Sequence, residues 1–120
     1  MNFWYWLKHG NSNPVDVMVG KNLRQYREEK LMSLHRAAQY AGIDKKLYRK
    51  MEKGKFRPTP EQLALIAQIL TTDVRLFLRP KSRLELLTTP ELYLNNKPFK
   101  EKLSHDETIE LIEAFYICAG

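Results

Sequence analysis

Residues 42–60 read GIDKKLYRKMEKGKFRPTP. Between Asp44 and Arg57 stand seven basic residues and only two acids, yet Leu47, Tyr48 and Met51 recur at helical spacing. Charge this dense either solvates a disordered tail or faces a polyanion, and the apolar residues decide between the two. On a helical wheel at about 100° per residue, Ile43, Leu47, Tyr48 and Met51 gather on one side. Lys45, Lys46, Arg49, Lys50 and Lys53 gather on the opposite side, with Lys55 and Arg57 just beyond the helix end. A disordered tail has no reason to segregate its residues in this way. The stretch reads as a helix capped by Asp44 and running to about Lys53, packed on one face and cationic on the other.

A merely solvated face intersperses acids to limit repulsion. Only Glu52 interrupts this one, at its edge. The width of the stripe suits the DNA major groove, which admits one α-helix.

The punctuation around the stretch is helical throughout. A first helix is predicted over Asp16–Lys30, with Val19, Leu23 and Tyr26 on one face. Ser33 caps a second, Leu34–Ala41, whose inner face is the small pair Ala37 and Ala38, and Gly42 follows where a helix end needs a left-handed residue. Gly54 ends the basic helix in the same manner. Thr59-Pro60-Glu61-Gln62 combines an N-cap, proline at the first helical position and a capping-box glutamine, and opens a helix with Leu63, Ile66, Ala67 and Leu70 inward. Asp73 is expected to cap a short fifth helix through Leu78, stopped by Pro80. Two further helices are expected, a short one after Thr89-Pro90-Glu91 and a longer one from Ser104 to Ala119, where Ser104 and Glu107 form another capping box. Alternating β-branched runs and Asn-Gly hairpin turns are missing, so an all-α fold is expected.

Composition bounds the function. The 120 residues are 43% hydrophobic and 28% charged, as in a globular domain, and carry a formal charge of +6. Residues 1–80 hold fifteen Lys and Arg against seven Asp and Glu, whereas residues 81–120 hold five against seven. The basic character, and with it any acidic partner, belongs to the first two thirds. Cys118 is the single cysteine, which excludes a disulfide framework within the chain and a CxxC site. His9, His35 and His105 show no metal-ligand spacing, and neither a phosphate-binding glycine loop nor a GxSxG motif occurs, so no metal, cofactor or catalytic activity is expected. The aromatic opening MNFWYWLKHG is too short to span a bilayer and lacks a signal-peptide layout, which points to the cytoplasm.

A helix, a short turn containing glycine and a basic amphipathic helix form the helix-turn-helix layout. The sequence here resembles the phage-repressor/Cro-like (XRE-type) helix-turn-helix family over about residues 17–78. The match is carried by Val19-Gly20, by Leu23-Arg24-Gln25-Tyr26-Arg27-Glu28-Glu29-Lys30, and by Ser33, Ala38, Gly42 and Ile43. It continues through Met51-Glu52-Lys53-Gly54-Lys55, Pro58, Leu63, Ile66, Ala67 and Leu70.

The resemblance implies a five-helix repressor-like DNA-binding domain at residues 16–79, between an N-terminal aromatic arm (1–15) and a C-terminal helical extension (80–120). It places Lys45 and Lys46 against base edges, with Arg49 and Lys50 one turn on, and Lys53 and Lys55 on backbone phosphates; Arg57 extends this DNA-binding set. Cations without Asn or Gln on the reading face suggest salt-sensitive binding that favours guanine. The family also pairs the helix-one arginine with the glutamate before Lys-Gly, here Arg27 and Glu52, which explains the lone acid as structural. Departures stand beside the match. Leu31-Met32 occupy a turn that often holds glycine, and Leu34 stands where a glutamine often touches the DNA backbone. Tyr48 fills a core position usually given to a smaller aliphatic residue, and Ala37 stands where leucine is common.

The flanks suggest assembly. On the last helix Leu111, Ile112, Phe115, Tyr116, Cys118 and Ala119 span about half the circumference, wide for a terminal helix lying on one small domain. Together with Trp4 and Trp6 of the aromatic block Phe3–Trp6, Leu111, Ile112, Phe115 and Tyr116 are the candidate dimer or partner contacts. The function expected is that of a sequence-specific transcription regulator, a repressor, binding a palindromic operator in double-stranded DNA as a homodimer. The alternative is an antitoxin-type protein whose flank captures a protein partner.

Overall fold

The computed structural model describes residues 13–80 and 102–119. Among them are five α-helices, one 3-10 turn and no strand. Helix α1 spans Pro14–Glu29, two residues ahead of the expected start, because Asn13 is the cap: its side chain accepts from Val15 N (2.7 Å) and Asp16 N (3.4 Å), and Pro14 sits where no donor is missed. The turn that follows lacks glycine and still adopts a left-handed step, at Leu31 (φ 56), with Met32 N donating to Arg27 O at 3.2 Å. A leucine held there carries strain of roughly 1 kcal/mol.

Helix α2, Leu34–Ala41, starts on Ser33, whose Oγ accepts from Arg36 N, and ends on Gly42 at φ 65. Helix α3 is Lys45–Glu52, opened by Asp44 accepting from Lys46 N at 3.0 Å. Helix α4, Pro60–Ile69, has the complete capping box: Gln62 N donates to Thr59 Oγ1 and Thr59 N to Gln62 Oε1. Helix α5, His105–Ala119, is opened by the same reciprocal pair between Ser104 and Glu107, and these hydrogen bonds hold the Glu107 carboxyl below its usual range.

The expected fifth helix is a single 3-10 turn, Val74–Leu76. Asp73 does cap it, and both its oxygens also accept from the Arg75 guanidinium. The turn is tied to α1 by Asn22, a buried amide whose Nδ2 donates to Phe77 O (2.9 Å) and Arg79 O (2.7 Å). The aromatic block with Trp4 and Trp6, and the helix expected after Thr89, lie outside the described residues.

One core joins these elements. Leu23 of α1, Tyr48 and Met51 of α3, Leu63 and Ile66 of α4, and Leu70 and Phe77 beyond it are fully buried together. Each such side chain withdraws apolar surface worth about 1.5–3 kcal/mol. Tyr26 and Phe77 meet with centroids 5.8 Å apart, tilted by 58°. Tyr48 takes part as a hydrophobe: its hydroxyl has no hydrogen-bond partner among the described residues, and burial pushes its pKa upward.

The core also takes in α5, which packs on α4. Ile112 is 0% exposed inside it, with Leu111, Phe115 and Tyr116 half-buried against it. This corrects the reading of Ile112 as a contact residue for a second subunit: it is consumed within its own chain. The exposed apolar residues of α5 are instead Ala114, Ile117, Cys118 and Ala119, with Ile117 82% exposed.

Candidate nucleic-acid interface

The site is built from α2, the turn at Gly42 and α3. Gly42 reverses the chain in the left-handed region, and Ile43 N reaches back to Ala38 O at 2.9 Å, which closes the end of α2. Asp44 then starts α3 at once. Along α3 the burial pattern follows the wheel: Tyr48, Met51 and Glu52 are buried and Leu47 half-buried, whereas Lys45, Lys46, Arg49 and Lys50 are exposed. Lys53 and Lys55, in the turn after α3, are exposed too. That turn is set by Gly54 at φ 74, with Lys55 N donating to Lys50 O at 2.8 Å. Six cations thus share α3 and its C-terminal turn, and no acid among these exposed positions neutralises them.

Glu52 lies inside instead. Its side chain is 5% exposed and receives Arg27 Nε at 2.7 Å and Arg27 NH2 at 3.0 Å, a two-pronged pair. The third arm of the guanidinium, NH1, donates to Met32 O at 2.8 Å, so one side chain of α1 holds both the C-terminus of α3 and the turn before α2. Hydrogen bonding to Glu52 raises the Arg27 pKa and outweighs the opposing effect of burial. The backbones of α1 and α3 come very close beside this pair: a Cβ placed on Gly20 would lie 2.5 Å from Met51 O and 2.6 Å from Glu52 O.

Arg57 is placed differently from the rest of the expected set. Its Nε donates to Asp16 Oδ1 at 2.8 Å, and its guanidinium lies 4.3 Å from the centroid of the Tyr116 ring. It is an internal link between the loop after α3, the start of α1 and the end of α5, so it leaves the group of free surface cations. The residue missed in the sequence is Asp16, while Tyr116, expected as a contact with a second subunit or partner, here faces Arg57 of its own chain. Asp16 read only as a helix start, and no spacing motif connects positions 41 residues apart.

Among the described residues no three His, Cys, Asp or Glu side chains converge as a metal site, and no helix is long and apolar enough to cross a membrane.

Comparison with known proteins bears on this geometry. Residues 23–77 match the family model described as "Helix-turn-helix" (HTH_3). A solved structure, the SinR protein/SinI protein complex, superposes with a TM-score of 0.51 and 24% sequence identity, covering 81% of this chain and 93% of that one. At that identity the likeness is one of fold. No curated protein shows significant sequence similarity to the chain. Residues 23–77, a little under half of the chain, thus carry a helix-turn-helix match of the XRE type that the sequence resemblance implied.

Proposed function

We propose that the protein is a sequence-specific regulator of transcription, a repressor, that reads double-stranded DNA in the major groove with α3 while acting in the cytoplasm on the nucleoid. The observation that carries this reading is the one-sided charge of α3, where Lys45, Lys46, Arg49 and Lys50 are all exposed and the single acid is buried in an ion pair. Lys45 and Lys46, in the first turn, are the base readers, suited to guanine O6 and N7. Lys53 and Lys55 are phosphate contacts.

The two roles separate experimentally. After a site has been selected from random duplexes, Lys45→Ala or Lys46→Ala should relax preference at particular base pairs, at about 1–3 kcal/mol each. Lys53→Ala and Lys55→Ala should weaken all sequences alike and lower the salt slope by about 0.9 each. A uniform loss from all four would mean that the helix reads charge alone.

One such helix spans few base pairs, which favours a two-fold dimer on a palindromic operator with half-sites about 10 bp apart. The exposed end of α5 supports this assembly, since Leu78, Leu111, Ala114, Phe115 and Cys118 border an apolar groove of about 470 Å³. Sedimentation at micromolar concentration should show a dimer that Ile117→Asp dissociates without unfolding. A monomeric wild type would exclude it.

A second reading, capture of a different protein by this same end of α5, draws on the SinR structure, which is that of a complex with SinI. Stoichiometric co-purification of a small protein in place of the homodimer would select it.

A further inference from the structure

The loop that follows α3 carries Lys53 and Lys55 and ends on Arg57, the side chain engaged from two sides. Asp16, in the first turn of α1, neutralises it at 2.8 Å, and the Tyr116 ring lies flat enough beneath it to place the guanidinium carbon 4.3 Å from the centroid. The Arg57 side chain is 37% exposed and that of Asp16 14%, so the pair sits at the surface boundary rather than in bulk water. There the electrostatic attraction between cation and ring is less screened.

Tyr116 itself is held firmly. Its ring packs edge-on against Phe115, with centroids 5.0 Å apart, and burial pushes its pKa up to about 12. Its hydroxyl makes no hydrogen bond among the described residues, so what it offers Arg57 is the ring face. A second tether lies three residues earlier in the loop: Gly54 abuts Val17 so closely that a Cβ there would come within 2.5 Å of Val17 Cα. Between Gly54 and Arg57 the loop is therefore clamped to the N-terminal turn of α1, and the outer jaw of the clamp belongs to α5.

We infer that Tyr116 is a positioning residue for DNA binding: by fixing Arg57, the C-terminal helix holds the Lys53–Lys55 loop in the geometry that meets the phosphate backbone. This rests on the DNA-binding reading above and adds to it a physical connection between α5 and the interface. Whatever engages the end of α5, a second copy included, then acts on DNA affinity through one guanidinium. Arginine is suited to the task because its planar head stacks on the ring while its Nε bonds the carboxylate, which a lysine cannot do together.

The test is binding of the full chain to a fluorescent duplex of random sequence, a probe that reports phosphate contacts without base readout, at a temperature where every variant is folded by circular dichroism. Tyr116→Ala should weaken binding about two- to five-fold, the scale of one cation–π contact, and Tyr116→Phe should restore it, since the ring alone is used. Arg57→Lys, which keeps the charge and is less exposed to folding defects, should lose as much as Tyr116→Ala. The double variant Tyr116→Ala/Arg57→Lys should lose no more than either alone, because the two act through one contact. Wild-type affinity in Tyr116→Ala or in Arg57→Lys, or losses that add in the double variant, would overturn the inference. Failure of the wild-type chain to bind any duplex would overturn the DNA-binding reading itself, a distinct result.

Discussion

Glu52→Ala should lower the unfolding free energy by about 3 kcal/mol or more, the range for breaking a buried ion pair from one side. The magnitude follows from what is stranded. Arg27 has an 11% exposed side chain, and Glu52 supplies partners to two of its nitrogens. Removing the carboxylate leaves a cation with only the Met32 carbonyl, in a place water barely reaches. For a domain of this size that is a fall in Tm on the order of 10 °C or more. Glu52→Gln, which keeps the shape and one acceptor, should lose clearly less. Removing both charges, as Arg27→Met/Glu52→Leu, should recover much of the loss, since an apolar pair no longer has a charge to satisfy. Chemical denaturation of wild type and the three variants measures these differences. A single-variant loss below about 1 kcal/mol would mean that the pair is solvated in solution and contributes as little as a surface bridge.

The pair also shows which part of the architecture was legible in the sequence. Interactions closed within four residues were readable as they stand: Ser33 before Leu34, Gly42 after Ala41, Asp44 before Lys45, and the reciprocal boxes Thr59–Gln62 and Ser104–Glu107. Each is a local exchange of backbone and side-chain hydrogen bonds, so residue type and spacing suffice. The cationic face of α3 was readable for the same reason, because a helical wheel needs no tertiary information.

What a wheel cannot say is which surface covers a face. The broad apolar arc of α5 suggested a second subunit; the fold spends Ile112 of that arc on its own core and, among the described residues, leaves Ala114, Ile117, Cys118 and Ala119 exposed. Contacts such as Asn22 with the Phe77 carbonyl, 55 residues away, or Arg57 with Asp16 have no sequence signature at all. Both are polar side chains that tie distant segments together. Asp73 marks the same boundary from the other side: the cap was visible, but not that it opens only a single 3-10 turn, Val74–Leu76.

Gly20→Ala should destabilise the domain by about 3 kcal/mol or more, beyond the usual scale of an overpacked site, against the sign that helix propensity alone would give. Gly20 stands inside α1, where alanine is ordinarily better by roughly 1 kcal/mol, so the substitution isolates packing from propensity. The methyl would sit 2.5 Å from Met51 O, 2.6 Å from Glu52 O and 2.9 Å from Glu52 C. All three are backbone atoms at the C-terminus of α3, which cannot swing aside as a flexible side chain can. To admit a methyl, α3 must move away from α1 as a body, and that motion draws Glu52 from Arg27 and uncovers Met51, so packing and ion pair are lost together. Lys53 and Lys55 follow directly in the chain, and DNA affinity should fall even at temperatures where the variant remains helical. Lys21→Ala, at an exposed position of the same helix, is the control and should change stability by less than about 0.5 kcal/mol. Thermal melts of the two variants beside wild type decide the matter: a Gly20→Ala protein melting at or above wild type would show that α1 and α3 stand further apart in solution than this packing requires.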